Sequence, residues 1–546
     1  MNKSSAILIQ SSILLITVCV TACARPQLPE SPLSLSPLSP SPVHIRPAMA
    51  TPVPTSTPIP GPTHTPWPSP TWTPIPTPTS QPSPVFPSEA ATPNGWPALP
   101  TALYFIRDGN LWRWPKEGQG LQQVVAGPQQ SSSSGRKLAR PVFGPGPTGV
   151  TAYRLTPDEH YLVYTFVDAA SPTLGPEMIV LDQVTGESFP ISTATNFEYF
   201  WLGMPSFDIT PDGRYVVYIA WNVRPTTGSR SPGLSHSAIS PSAGGNGYGT
   251  IFAVDVQNVN REFELGYCAA RSEYEWELRC SGFVLSPDGS RIAFSDGRGV
   301  WLSDVPQGAP RLIAEHQHRN DFCGVWRVRN WSPDGKRLLI DVGCYEGGYS
   351  AVMDVDTGEV RGIPRTWNYP GPYVNITWIQ DGAGLLVNYI SLESGIGPAY
   401  LGQVPAEDPA QETVVISTTW PGDVWPTEPH DLPDGTIGFA NQQCVDSTGM
   451  PSGIYTVGRD GTGLEFASPL PAIPCYVSEG NRGAFGTVLW SPDGTAYLYL
   501  IRDEQRASQA NLLLGLTDGS VLWDVRELLA DAHTFQWQPP HSGYWR

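Results

Sequence analysis

A short pattern of apolar and polar residues repeats along most of this 546-residue chain. Each repeat has an apolar residue and then a turn that in most copies reads Ser/Thr-Pro-Asp-Gly. In every copy except the one at Asp434, apolar residues follow four and six positions after the aspartate. Alternation with a period of two predicts a half-buried β-strand on the far side of the turn. The turn aspartates are Asp158, Asp212, Asp288, Asp334, Asp381, Asp434 and Asp493.

The repeated turn predicts a β-hairpin in every unit. Proline suits the second position of a type I turn, aspartate the third, and the glycine that follows tolerates a positive φ. The shortest interval between successive aspartates is 46 residues, which leaves room for four short strands, and no helical period is sustained between them. Repeats of four antiparallel strands at this spacing are typical of the blades of a β-propeller.

The two ends of the repeated region complement each other. Residues 103–112 have the pattern of the second and third strands of a blade without its first strand, whereas residues 533–537 have that of a lone first strand. Joining them makes one more blade and removes the open sheet edges. We therefore predict an all-β fold with a single propeller of about eight four-stranded blades, or seven if the short unit around Asp434 is degenerate.

The Ser-Pro-Asp-Gly hairpins resemble the repeats of TolB-like propellers, which are related to the WD40-like repeats of the non-catalytic propeller in prolyl-oligopeptidase-type peptidases. The resemblance covers residues 102–538 and implies the fold. It implies no particular partner, because one fold carries many functions.

The N-terminus resembles a bacterial lipoprotein signal. Lys3 precedes a mostly apolar stretch over residues 7–20, and the small residues Thr21 and Ala22 precede Cys23. The apolar stretch is too short for a membrane span of about 20 residues. The resemblance implies cleavage before Cys23 and a lipid on its thiol. The alternative is an ordinary secretory signal in which Cys23 has no role.

A proline-rich segment follows. Residues 24–100 hold 24 Pro and 20 Ser or Thr, with four charged side chains, so they cannot bury enough apolar surface to fold. Polyproline II geometry predicts a disordered but extended stalk, with a reach on the order of 200 Å if stiff. The predicted organisation is a signal peptide (1–22), a stalk (23–100), a propeller (101–540) and a short tail (541–546).

Eight cysteines are present, of which Cys19 and Cys23 belong to the leader. The other six lie in the predicted propeller. An even number of cysteines in an exported domain predicts disulfides, although six cysteines allow 15 connectivities. Cys323 and Cys344 lie at nearly equal distances on either side of Asp334, so they fall opposite each other across that hairpin. Cys268 and Cys280 are close in the sequence and would close a short loop, which leaves Cys444 to pair with Cys475. The predicted disulfides are thus Cys268 with Cys280, Cys323 with Cys344, and Cys444 with Cys475.

The net charge of −18 argues against nucleic acid as a partner. Insertions between strands are the candidate binding segments, because connecting loops commonly carry function. One insertion holds Arg136, Lys137 and Arg140 in an otherwise acidic protein. Another holds Trp420 and Trp425, whose rings suit stacking on a sugar or a peptide proline.

The sequence contains no Gly-x-Ser-x-Gly, His-Glu-x-x-His or P-loop motif. The densest candidate metal cluster, Glu315 to His318 with Asp321, has a permissive spacing, but loop histidines are more often solvated, and we predict neither metal nor cofactor.

We predict a monomeric, lipid-anchored module outside the cytoplasm, on the cell membrane or the outer membrane, that holds an envelope protein, a peptide or a glycan on the propeller face. The alternative is a carbohydrate-active enzyme, a lyase or glycosidase, with acidic residues in the central channel.

Overall fold

The computed structural model describes the strands and turns of the repeated region and part of the connections between them. The described residues are 95–127, 148–168, 177–192, 207–221, 249–268, 282–296, 298–315, 323–344, 347–364, 366, 375–390, 399–417, 426–441, 450–471, 486–501, 511–530 and 532–538.

Blade 8 combines the two ends of the propeller, as predicted. The first three strands are Leu103–Arg107 (β1), Asn110–Trp114 (β2) and Gln122–Val125 (β3). They pair in the order β3-β2-β1 and then with the last strand, Ala532–Trp537 (β32). Leu103 lies opposite Trp537, and Arg107 lies opposite Ala532.

Seven further sheets follow in chain order, each with four antiparallel strands. Blade 1 consists of Gly149–Leu155 (β4), Tyr161–Val167 (β5), Glu177–Asp182 (β6) and Ser188–Ser192 (β7). Blade 2 consists of Phe207–Ile209 (β8), Tyr215–Trp221 (β9), Gly249–Asp255 (β10) and Asn258–Cys268 (β11). Blade 3 consists of Phe283–Leu285 (β12), Arg291–Asp296 (β13), Gly299–Asp304 (β14) and Arg311–Glu315 (β15).

Blade 4 consists of Cys323–Trp331 (β16), Arg337–Cys344 (β17), Gly347–Asp354 (β18) and Val360–Gly362 (β19). Blade 5 consists of Asn375–Trp378 (β20), Gly384–Ile390 (β21), Ala399–Pro405 (β22) and Thr413–Ser417 (β23). Blade 6 consists of Pro426–Asp431 (β24), Thr436–Asn441 (β25), Gly453–Gly458 (β26) and Glu465–Pro469 (β27). Blade 7 consists of Gly486–Trp490 (β28), Ala496–Ile501 (β29), Asn511–Leu516 (β30) and Leu522–Asp524 (β31). The unit around Asp434 is thus a complete blade, and the propeller has eight blades rather than seven.

The hydrophobic core is divided among the interfaces between blades. Within the described residues there are eight clusters of buried apolar side chains, and each joins two consecutive blades. One cluster joins blade 7 to blade 8, and another joins blade 8 to blade 1, so the ring is closed by packing as well as by pairing. The first strand of each blade is the innermost, since first strands of neighbouring blades contact each other, as β12 contacts β16 and β20 contacts β24.

Tryptophans at the ends of inner strands bind one blade to the preceding one. The indole N–H of Trp331 donates to the carbonyl oxygen of Val284 at 3.1 Å, and that of Trp490 donates to the carbonyl of Glu428 at 2.8 Å. Trp537 repeats the contact to Leu489 at 3.0 Å. A buried indole needs such a partner, so each tryptophan fills the interface and also fixes the relative height of two inner strands.

The contacts within the repeated turn explain why serine or threonine, aspartate and glycine recur in it. In blade 3, Ser286 Oγ donates to Asp288 Oδ1 at 2.6 Å, and the same oxygen accepts the Ser290 N–H at 3.0 Å. Gly289 has a φ of 72°, and a Cβ there would lie 2.5 Å from Pro211 in the turn of blade 2. The turns of neighbouring blades therefore pack side by side, which places them all at the same end of the propeller.

The first repeat departs from glycine for a reason that its sequence pattern does not reveal. Glu159 takes the position of the glycine with a φ of 59°, a strained value for this residue type. Its carboxylate accepts the Tyr104 hydroxyl at 2.7 Å and lies 2.9 Å from Arg113 Nη2, both in blade 8. Burial first, and then the charge of Glu159, raise the pKa of Tyr104 above its ordinary range. Glu159 thus links the first repeat to the blade that closes the ring.

The turn carboxylates make stability depend on pH. Partial burial opposes the ionisation of Asp288, but hydrogen bonds from Ser286 and Ser290 outweigh it and lower its pKa. A lowered pKa stabilises the folded state above the unfolded value of about 3.9, and this contribution is lost as the pH falls through the folded pKa. We expect Asp288→Asn to reduce the free energy of unfolding at pH 7 by about 1 kcal/mol, the difference between a charged and a neutral acceptor.

Urea unfolding between pH 7 and pH 3 measures this effect. The difference between Asp288→Asn and the unsubstituted protein should shrink as the pH falls. Asp356→Asn, a change at an exposed turn residue of blade 4, should leave the curve unaltered. A constant difference across the pH range would show that the charge of Asp288 does not stabilise the turn.

Candidate functional site

The antiparallel order of the strands gives the propeller two different ends. We call the end with the turns between first and second strands and between third and fourth strands the turn face. We call the other end, where second strands continue to third strands and one blade continues to the next, the loop face. All connections at the turn face lie within the described residues. Every segment between residues 128 and 531 that lies outside the described residues begins and ends at the loop face.

The predicted binding residues all belong to loop-face connections. Arg136, Lys137 and Arg140 connect β3 to β4, and Trp420 and Trp425 connect β23 to β24. These five residues lie outside the described residues, so their side chains stay predictions. Cys23 also lies outside them, as do the residues from His316 to Asp321 of the candidate metal cluster, whereas Glu315 is exposed at the end of β15.

One of the predicted cysteine pairs lies in described strands. Cys323 of β16 is the direct register partner of Cys344 of β17. This backbone register is the one that a bridge across the hairpin requires. Cys268 ends β11, whereas Cys280, Cys444 and Cys475 lie outside the described residues. All three disulfides stay predictions.

The chain enters and leaves the propeller at the turn face. Leu99 N–H donates to the Lys116 carbonyl at 2.8 Å, and Trp114 Nε1 donates to the Pro97 carbonyl at 3.0 Å, both next to the turn between β2 and β3. The last strand also runs towards this end, where Gln538 N–H donates to the Ala102 carbonyl at 3.0 Å. The loop face is therefore at the opposite end of the propeller from residues 97–99 and 538.

Two carboxylates, one on a first strand and one on a second strand, lie next to arginines of first strands. Asp208 of blade 2 lies 3.9 Å from Arg154 of blade 1, and Asp341 of blade 4 lies 3.6 Å from Arg329. Burial raises the pKa of Asp208, although Arg154 acts in the opposite direction, and burial lowers the pKa of Arg154. Each of these carboxylates is thus held by an arginine, which is the arrangement of a structural ion pair rather than that of a catalytic pair of carboxylates.

Three asparagines lie at the loop-face ends of blades 5 and 6, next to the strands that flank Trp420 and Trp425. Asn375 pairs in register with Asn388, and Asn441 ends the second strand of blade 6. Asn388 and Asn441 are fully buried, and the Asn441 amide donates to the carbonyls of Met450 and Pro451 at 3.0 Å. Buried amides thus lie at this edge of the described structure.

An arginine and a tryptophan form a fixed pair at the loop face of blade 3. Arg298 lies in the hairpin between β13 and β14, with its guanidinium 4.3 Å above the ring of Trp301. Asp296 accepts from Arg298 Nη2 at 2.9 Å, from Arg298 Nε at 3.2 Å and from Trp301 Nε1 at 2.9 Å. The sequence does not predict this pair, because Asp-Gly-Arg-Gly has the pattern of an ordinary turn.

No group of three or more His, Cys, Asp or Glu side chains in the described part of the chain is arranged to hold a metal ion. Among the same residues no helix is long and apolar enough to cross a membrane.

Comparisons with known proteins give neither a family nor a function for this chain. No protein-family model and no curated protein matches the chain. Similar solved structures include TolB from Acinetobacter baumannii, with 14% identity, a TM-score of 0.30 and coverage of 57% of this chain and 62% of that chain. They also include a eukaryotic initiation factor, with 12% identity, a TM-score of 0.46 and coverage of 82% and 94%. The dihydro-heme d1 dehydrogenase NirN in complex with DHE has 13% identity, a TM-score of 0.43 and coverage of 82% and 77%. Because all these TM-scores are below 0.5, the assignment of the fold as a propeller rests on the order of the strands in the sheets.

Proposed function

We propose that this protein is an extracytoplasmic binding or scaffolding module, anchored to a membrane through Cys23, that holds a protein, peptide or glycan on its loop face. The observation that carries the proposal is the difference between the two ends of the propeller. The turn face consists of short turns and holds the described residues 97–99 and 538, whereas the long connections begin and end at the loop face.

The position of the stalk sequence supports this choice of face. Residues 97–99 bind to blade 8 at the turn face, so a stalk that begins at a lipid on Cys23 would meet the propeller there. A chain of predominantly polyproline II geometry is a suitable spacer for such an arrangement.

The distribution of charge also supports the loop face as a general binding surface. Its connections outside the described residues carry twelve Lys or Arg and thirteen Asp or Glu, so they are nearly neutral together. The net charge of −18 therefore belongs mainly to the turns and strands, and the repeated aspartates all lie at the turn face. A partner of the loop face need not be basic.

Within this proposal, Trp420 and Trp425 supply stacking surfaces, and Arg136, Lys137 and Arg140 supply hydrogen-bond donors for acidic groups of the partner. Aromatic and arginine side chains are the residue types that most often dominate binding energy. The module acts as a monomer, and the predicted disulfides brace its hairpins and connections outside the cytoplasm.

Affinity capture tests the proposal. A chain of residues 83–546, which includes every described strand, is immobilised and exposed to envelope extracts and to a panel of polysaccharides. We expect saturable retention of a partner without chemical change. Release of shortened or unsaturated sugars from the panel would instead show that the protein is an enzyme, and the proposal would fail.

A further inference from the structure

The guanidinium of Arg298 has donors that its own hairpin does not use. Its Nε and Nη2 atoms point to Asp296, while the side chain keeps 56% of its surface exposed. A guanidinium has five N–H donors in one plane, so the pair on Nη1 and the second on Nη2 point away from Asp296. Within the described residues, Nη1 has no hydrogen-bond partner.

The orientation of this planar group is fixed before any ligand arrives. One of its faces rests on Trp301, whose ring in turn stacks with Phe294 at a centroid distance of 6.3 Å. The tip of the hairpin is held close to β15, because a Cβ at Gly299 would lie 2.0 Å from the Ala314 carbonyl oxygen. Little side-chain freedom remains to be lost on binding, and pre-organisation of this kind favours affinity.

We propose that Arg298 is a carboxylate-binding residue of the loop face. This inference rests on the proposed function and names the chemistry of the partner. Two parallel N–H donors match the two oxygens of a carboxylate, and arginine is the side chain that provides this geometry. The carboxylate comes either from a peptide, as a side chain or a C-terminus, or from a uronic acid of a glycan.

The charge balance of the site also determines which anions it would bind. The Asp296 side chain is fully buried and neutralises the guanidinium, so the site attracts anions only weakly from a distance. Binding must then depend on hydrogen-bond geometry at contact rather than on net charge. A site of this kind selects a planar acceptor over a spherical anion of the same charge, and salt screening weakens it little.

Calorimetric titration of the full chain tests the inference with two acidic probes of equal charge, a tetraglutamate peptide and an oligouronate of four sugars. Their controls without a carboxylate are N-acetylated, C-terminally amidated tetraglutamine and the corresponding neutral oligosaccharide. We expect one acidic probe to bind, and Arg298→Ala to weaken it roughly tenfold or more, since the change removes two charge-assisted hydrogen bonds. Arg298→Lys should weaken binding similarly, because a lysine keeps the charge but not the fork.

Arg261→Ala is the matched control. Arg261 is also exposed and stacked, 4.9 Å above Phe263, but it belongs to the outer strand of blade 2. Its replacement should leave the affinity unchanged. Equal affinity of Arg298→Ala and the unsubstituted protein, equal binding of the neutral controls, or binding of neither acidic probe would overturn the inference.

The outcome separates this inference from the proposed function. If a captured partner binds the Arg298→Ala chain and the unsubstituted chain equally, the inference fails and the proposed function stands. If the acidic probe depends on Arg298 but no partner is retained, the proposed function fails. Matching urea midpoints for all three variants show that the comparison is between folded proteins.

Discussion

Replacing Trp537 with alanine is expected to lower the free energy of unfolding by about 3–5 kcal/mol, the range for a large aromatic side chain lost from a core. Trp537 is 3% exposed and lies in the cluster that joins blades 7 and 8. Its indole N–H also donates to Leu489 at 3.0 Å, so the change removes a hydrogen bond between two inner strands. Among the described strands, only β32 pairs with the inner edge of β1.

Urea unfolding followed by tryptophan fluorescence measures this loss. Trp523→Ala is the matched control, because Trp523 packs against the same cluster from a half-buried position in β31. We expect it to cost less than Trp537→Ala. Equal and small losses from both changes would mean that β32 contributes little to closing the ring.

Replacing Cys23 with serine is expected to move nearly all of the protein from the membrane fraction to the soluble fraction. Serine offers no thiol for the lipid, and stable attachment of a folded module needs the acyl chains that the lipoprotein signal implies. Cell fractionation followed by immunodetection measures the distribution.

Cys19→Ser is the matched control for the anchor. Cys19 lies four residues earlier in the same leader, and its replacement should leave the protein with the membrane. Membrane retention of the Cys23→Ser protein would contradict the lipid anchor and favour an ordinary secretory signal.

The architecture could be predicted from the sequence because its determinants are local and repeated. Each hairpin depends on four or five consecutive residues, as Ser286 to Ser290 illustrate, and the alternation of apolar residues defines the strands on either side. The closing blade could be predicted as well. Residues 103–112 have the pattern of a second and a third strand, and residues 533–537 have that of the missing first strand.

The contacts that join distant repeats could not be predicted in this way. Glu159 replaces a turn glycine, and its role depends on Tyr104 and Arg113, which only the closed ring brings near it. Arg298 rests on Trp301 because β13 and β14 pair in one register, and neither residue has a distinctive neighbour in the sequence. The face at which the stalk sequence arrives depends in the same way on the packing of Pro97 and Leu99 against blade 8.

Binding at the loop face is tested most directly by the affinity of the captured partner for two double variants. Trp420→Ala/Trp425→Ala alters the loop face, and Val184→Ala/Leu464→Ala alters exposed apolar residues of the turn face, which are 76% and 38% exposed. We expect the first pair to weaken binding by about tenfold or more, as loss of buried aromatic contacts does, and the second to leave it unchanged. Loss of binding in the turn-face variant, with full affinity in the loop-face variant, would contradict the proposed function.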